Sequence, residues 1–452
     1  MDKPIILFMI MLLLPLPLKA AERIGDQEIP QVWTADGAVS FALKNSPDSL
    51  IAQQKIVSAE AVIAEAQSRF SPVLTLSSEY AQTDNPMYSF GNILNQGKFS
   101  NTVDFNNPGR TDDLNFKIQA QYRLYNGGQD QAAVEAAQAD RSSAAANFEA
   151  IRQQLGFEVV RLFLSIIQNQ ETVTARQSSL KAIGSSLTVA RTRYEAGTVL
   201  KADLLNLEAQ EAAAGEDLIQ AQHALEFSKR GFLTVLGLPP GNWAFELRGS
   251  ADQPLPETLD YTRRPELRVL ENAIKAAEAE VRKAQGKKNP TLDGFASYQD
   301  DRGTVLAGTG DSWMAGVRVN YTLFDGDRTQ AEIAAARSRL SELKEQQLKT
   351  ELALNLELQQ AELTFKQAQQ RLLVTEKMVN AASESARLDR VRFQGGLILS
   401  SELIEVEKRL TDALVRQSAA RAMQQTATAY LRRAAGLPQF EQITENSREK
   451  QE

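Results

Sequence analysis

The chain is written twice. Tyr122-Arg123-Leu124-Tyr125-Asn126-Gly127-Gly128 returns as Tyr321-Thr322-Leu323-Phe324-Asp325-Gly326-Asp327. Arg193-Tyr194-Glu195-Ala196-Gly197 returns as Arg392-Phe393-Gln394-Gly395-Gly396, and Leu236-Gly237-Leu238-Pro239 as Ala435-Gly436-Leu437-Pro438. The offset is constant: 321 − 122, 396 − 197 and 436 − 237 each give 199. Two copies in register mean one architecture built twice, and every fold considered must contain it twice. The expected organisation is a signal peptide over 1–20, a first copy over 30–239, a linker over 240–256, a second copy over 257–439 and a polar tail over 440–452.

The N-terminus reads as a secretory signal. Lys3 supplies the charge, Ile5 to Leu14 the apolar run, and Leu18-Lys19-Ala20 a cleavage site. The run is shorter than the ~20 residues a spanning helix needs, and Pro15 and Pro17 interrupt it. Cys is absent, which excludes disulfides, thiolate metal sites and Cys nucleophiles. A net charge of −7 leaves no basic footprint for nucleic acid.

Each copy carries a strand pair. Leu114, Phe116, Ile118, Ala120, Tyr122 and Leu124 alternate with Asn115, Lys117, Gln119, Gln121 and Arg123. That is a period of two, the mark of a strand with one apolar face. The second copy sets Trp313, Ala315, Val317, Val319, Tyr321 and Leu323 against Gly316, Arg318, Asn320 and Thr322, with Met314 as the exception. A partner strand precedes each. In the first copy Leu74, Leu76 and Tyr80 alternate with Thr75, Ser77 and Glu79; in the second Leu292, Ala296 and Tyr298 match them, while Phe295 sits on the polar side. About eleven residues is the length at which a tilted strand crosses a bilayer. A half-buried sheet in a soluble domain accounts for one such strand. Four of bilayer length in an exported chain point to a membrane barrel. The Gly-, Asn-, Pro- and Asp-rich stretches Thr83 to Asp113 and Asp300 to Asp311 are expected to be loops.

Helices make up the rest. Shorter ones open each copy, from Pro47 to Arg69 and from Pro265 to Lys288. Gly127 to about Tyr194 and Gly326 to about Phe393 contain no proline and are rich in strong helix formers. Some 68 residues at 1.5 Å each give roughly 100 Å of helix. Each run is expected to turn at Gly197 or Gly396 and return to about Leu236 or Ala435, because glycine tolerates the left-handed cap. Four strands cannot close a barrel, and an open edge cannot face lipid, so copies of the chain must assemble by a closing rotation. Two chains would supply about eight strands and three about twelve; the sequence by itself does not choose. The fold class is therefore an α+β membrane protein with a two-fold internal repeat and a long α-helical tunnel.

The repeat, the signal, the hairpins and the glycine-capped helical turns resemble the outer-membrane efflux protein family, the TolC-like exit ducts, over about Val32 to Phe440. The most specific segments are Tyr194-Glu195-Ala196-Gly197-Thr198 with Asp203-Leu204-Leu205, and Phe393-Gln394-Gly395-Gly396-Leu397 with Glu402-Leu403-Ile404. The resemblance implies a homotrimer whose four strands per chain complete a 12-stranded β-barrel in outer-membrane lipid, above a periplasmic tunnel. It implies a periplasmic adaptor (membrane fusion) protein and an inner-membrane pump as partners, in tripartite efflux or type I secretion. It implies no catalysis and no cofactor. It places acidic aperture rings at Glu402 and Glu405 and an inter-helix tie at Asp203. The adaptor-docking tip would comprise Tyr194, Gly197, Thr198, Leu200, Leu204, Phe393, Gly396, Leu397, Leu399 and Leu403.

The chain departs from the family at that tie. Where a family member has Arg two residues after the second glycine and Tyr three before it, this chain has Ile398 and Phe393. Neither can hydrogen-bond Asp203, and Arg392 and Lys201 are the nearby charged candidates. The closed state is therefore expected to be held differently, or less firmly. The plain alternative for all three carboxylates is a solvated helix start stabilised by the macrodipole. An autonomous porin leaves the long helices unexplained, and a structural coiled coil leaves the hairpins unexplained. His223 is the only His and reads as an ordinary helix residue, not a metal ligand.

Overall fold

The structure, a computed structural model, describes residues 30–239, 245–249 and 251–440. The expected signal peptide, part of the linker and all but the first residue of the tail lie outside these. Strand β1 (Val32–Trp33) is followed by α1 (Ala35–Asn45), α2 (Pro47–Ser68), β2 (Val73–Thr83), α3 (Pro86–Asn95), β3 (Thr111–Tyr125), α4 (Gln129–Glu195) and α5 (Lys201–Val235). Then come β4 (Glu246–Leu247), a 3-10 turn (Tyr261–Arg263), α6 (Pro265–Gly286), β5 (Thr291–Gly303), β6 (Gly308–Asn320), α7 (Arg328–Gly395) and α8 (Ser400–Ala434). The order helix, strand, strand, long helix, returning helix occurs in each half.

Helix α4 has 67 residues and α7 has 68, each roughly 100 Å long. The returning helices have 35 residues each and reach only part of the way back. The short helices continue them: α5 ends where Gly237 meets Asn45 and Pro47 before α2, and α8 ends where Gly436 meets Arg263 and Arg264 before α6. Contacts run from α2 and α5 to α4, from α4 to α6 and α8, and from those to α7. The helices thus form one wall with two free flanks. On α7 the apolar residues Leu348, Leu352, Leu356 and Leu363 are more than half exposed. On the other flank Ile51, Val57, Ile219 and Phe227 are likewise exposed.

The core lies at the waist of the wall. Trp33 and α1 pack on Val159, Val160, Phe163 and Ile166 of α4 and on Phe232 of α5. Strand β1 pairs with β4 in parallel there. Nearby, the buried Arg264 donates to Glu266 at 3.0 Å and to the Arg433 carbonyl at 3.0 Å, and faces Glu357 at 3.4 Å. This cluster joins α6, α7 and α8.

The sheet order is β2-β3-β5-β6, antiparallel throughout, so β2 and β6 are open edges. Register keeps the alternation: Ile118 faces Leu76 and Tyr298 on the apolar side, and Gln121 faces Val73 and Phe295 on the other. Two expectations need correction. The stretch Thr83 to Asp113 is not all loop. Asn85 caps α3 by accepting from the Met87 amide at 3.1 Å, and Pro86 fills the first helical position. Phe99 and Phe105 pack on Phe90 of this helix. Nor is Asp300 to Asp311 all loop, since β5 and β6 continue into it and only residues 304–307 connect them. At its other end β6 stops at Asn320, short of Tyr321 and Leu323. Its partner β5 starts at Thr291, after Pro290, and offers no further ladder groups.

Candidate functional site

The two helical hairpins turn side by side at the end remote from the sheet. The first turn is closed by Gly197, whose amide donates to the Tyr194 carbonyl at 2.9 Å, and by Thr198 donating to the Arg193 carbonyl at 2.9 Å. The second repeats this with Gly396 to Phe393 at 2.9 Å and Leu397 to Arg392 at 2.9 Å. Gly197 has φ +73° and Gly396 φ +77°. A side chain in that region costs about 1–2 kcal/mol, which is why both turns use glycine.

Two polar contacts cross between the hairpins. The Ser400 hydroxyl donates to the Asp203 carboxylate at 2.6 Å. The Arg193 guanidinium donates to the carbonyls of Phe393, at 2.9 Å, and Gln394. Those carbonyls end α7, where the helix dipole is negative and a cation is favoured. Asp203 thus has a partner that the sequence did not point to: Ser400, on the first turn of α8. Arg392 faces Asp389 at 3.4 Å instead, and Lys201 is exposed. Ile398 and Phe393 contribute through packing. Phe393 is 4% exposed in a core with Leu187, Ala190, Leu207 and Leu403, against which Ile398, Leu204 and Ile404 pack.

Sequence reasoning missed an ion pair that each half carries. Arg191 faces Glu208 at 3.2 Å in the first half. Arg390 binds Glu407 through two hydrogen bonds in the second, the one from Nη2 at 2.7 Å. Both pairs obey the 199-residue offset (390 − 191, 407 − 208). Their burial differs: Glu208 is 41% exposed and Glu407 only 3%. The hydrogen bonds from Arg390 to Glu407 outweigh desolvation and raise the guanidinium pKa further, so Arg390 stays charged. The signal for it was in the repeat itself, as an Arg and a Glu conserved between halves at one separation.

The remaining expected residues divide by exposure. Leu200, Leu397 and Leu399 are exposed by more than half, and Tyr194 by 39%. Leu403 and Phe393 are buried within the tip, Leu204 is half-buried, and Thr198 bonds within its own turn. Glu402 and Glu405 are exposed on α8, with Glu405 facing Arg409 at 3.3 Å. A groove of about 410 Å³ lies beside the tip between Ser178, Lys181 and Ser185 of α4 and Arg390 and Gln394 of α7. It meets a second groove, of about 600 Å³, at Ser178. Among the described residues no cluster of His, Asp and Glu could hold a metal ion, and no helix is long and apolar enough to cross a membrane.

A sheet with one apolar and one polar face, carried on helical hairpins of this length, defines an envelope channel with a helical extension. The model of the family described as outer membrane efflux protein matches residues 38–237 and 261–437. The chain belongs to that family. It is 23% identical over 446 residues to nodulation protein T of Rhizobium leguminosarum bv. trifolii, covering 92% of this chain and 90% of that protein. It is 23% identical over 318 residues to outer membrane efflux protein BepC of Brucella suis biovar 1, covering 69% of this chain and 65% of that protein. The solved CmeC outer membrane channel of Campylobacter jejuni shares the fold, with TM-score 0.79, 14% identity and coverage of 92% and 88%. The protein is thus an outer-membrane efflux channel with a periplasmic extension.

Proposed function

We propose that three copies of this chain close into one passive duct across the outer membrane and periplasm, opened by a periplasmic adaptor and an inner-membrane pump. The observation that carries this reading is the pairing of open edges. The sheet ends in unpaired β2 and β6, and the wall ends in two apolar flanks. An open edge in lipid leaves backbone groups unsatisfied at several kcal/mol each. Joining β6 of one copy to β2 of the next, and α7 to the next α2 and α5, removes both costs by one rotation. Two copies would make about eight strands, whose interior side chains fill; three leave a water-filled bore.

At the tip, the tie between Asp203 and Ser400 and the Arg193 clasp hold the hairpins together and so favour a closed aperture. Three-fold repetition would set Glu402 and Glu405 in acidic rings around it. The exposed Tyr194, Leu200, Leu397 and Leu399, with the grooves along α4, offer an adaptor its docking surface. Phe393 and Leu403, being buried, serve the tip core instead. The inner pump chooses the cargo, in efflux or in type I secretion alike. A porin reading leaves the long helices without use.

Mass measurement of the detergent-extracted protein tests the reading. A stable trimer is expected, together with crosslinks from Leu397 to an adaptor in the cell envelope. A folded monomer would overturn it.

A further inference from the structure

Two residues that break the strand alternation stand together. Phe295 on β5 and Met314 on β6 both lie on the polar face, in line with Gln121 and Gln119 of β3. Phe295 is directly opposite Gly316, so Met314 and Arg318 are its two diagonal neighbours. Diagonal residues sit ~7–8 Å apart, within reach of a ring and a long side chain. Gly316 lets the ring lie down on the sheet, because a Cβ there would meet Phe295 Cζ at 2.9 Å. The Arg318 guanidinium lies 5.3 Å from the ring centroid, inside cation–π range. Its neighbour across the ladder, Asp293, faces Arg123 at 3.9 Å, and among the described residues Arg318 forms no ion pair. Phe295 is half-buried, Met314 and Arg318 exposed.

A phenyl ring and a thioether on this face gain nothing from lipid, which covers the opposite face. In the closed duct, on which this inference rests, they line the water-filled bore. They do so close to where β6 enters the helical tunnel, since Arg318 is two residues from the strand end. We propose that Phe295, Met314 and Arg318 form a binding platform on the bore wall for organic anions with an aromatic body. The guanidinium takes the carboxylate or sulfonate, while the cargo ring packs on Phe295 and the Met314 sulfur. Each copy repeats the platform at one level. Weak binding at several equivalent stations concentrates such cargo without trapping it, as conduction requires.

Single-channel recording on the full-length protein tests this, with 2-naphthoate or acetate added on the side of the β5–β6 connection, away from the helical tip. In the unsubstituted protein 2-naphthoate should reduce the current at far lower concentration than acetate. Phe295→Ser should abolish that preference, and Phe295→Leu, which keeps apolar bulk, should weaken it. Arg318→Gln should weaken naphthoate block by about tenfold, the size of one hydrogen bond to a charged group. Arg318→Lys should fall between, because charge remains but the planar stack is lost. Oligomer bands on gels verify assembly of each variant, and Phe295→Leu serves if Phe295→Ser fails to assemble. Equal block by the two anions in the unsubstituted channel overturns the platform, as does naphthoate block unchanged in the Phe295 and Arg318 variants. A protein that forms no channel at all overturns the duct and the platform with it.

Discussion

The Ser400 hydroxyl reaches the Asp203 carboxylate at 2.6 Å across 197 positions of chain, from the start of one returning helix to the start of the other. Both helices begin just past a glycine turn, so the bond ties the two turns directly. A hydrogen bond to a charged group contributes about 1.5–3 kcal/mol. Ser400→Ala and Asp203→Ala should each shift the closed aperture toward open by about tenfold, seen as raised resting conductance in planar bilayers. Asp203→Asn, which still accepts the bond, should stay closer to the unsubstituted protein. Unchanged conductance in both alanine variants would leave closure to the Arg193 clasp and the apolar tip.

The repeated ion pairs give an internal comparison. Arg390→Ala strands the buried Glu407 and should cost about 3 kcal/mol. Arg191→Ala breaks the matching but solvated pair and should cost under about 1 kcal/mol. Thermal unfolding of the two variants side by side measures the difference, and equal losses would contradict the burial argument.

At the turns, Gly197→Val and Gly396→Val force a β-branched residue into the left-handed region. Trimer and membrane insertion should survive, while export and adaptor crosslinking are lost. The second variant should be worse, because an added Cβ at Gly396 comes within 3.3 Å of the Arg193 guanidinium, whereas Gly197 has open space around it. Loss of the trimer in either case would mean that these glycines serve folding.

The acidic pair on α8 is tested by charge. Glu402→Gln with Glu405→Gln keeps size and helix propensity. If the rings form, cation selectivity and block by multivalent cations from the periplasmic side should both fall, with assembly unaffected. Solvated helix-start carboxylates would instead predict no change in conductance and a small loss of stability.

Acid should loosen the waist. Burial opposes ionisation of Glu266, but its hydrogen bonds and charge contact with Arg264 prevail and hold its pKa below the ordinary value. A depressed carboxylate pKa stabilises the fold above the unfolded value and loses that contribution as pH falls through the folded one. Thermal stability should therefore decline below about pH 4.3, the ordinary glutamate value. Glu266→Gln should show a shallower decline over the same window, and parallel curves would remove Glu266 from the account.

Much of this architecture was legible along the chain because its determinants are local. A period of two or of 3.6 is a property of neighbours, and a glycine at a positive φ marks a turn wherever it occurs. Even α3 left a mark, since Asn85-Pro86 is a cap followed by a first helical residue, though it also reads as a turn. The repeat multiplied each signal by showing it again.

Local pattern along the chain thus settles the set of elements, their order, their apolar faces and the positions of their turns. Tertiary structure alone decided which faces meet. It brought Ser400 to Asp203 and Arg193 to the end of α7, buried Glu407 where its counterpart Glu208 stays wet, and set Met314 and Arg318 on either side of Phe295. Periodicity tells a side chain which side of its own helix or strand it occupies. It carries no information about the register of a partner some 200 residues away, and that register is set only when whole elements pack.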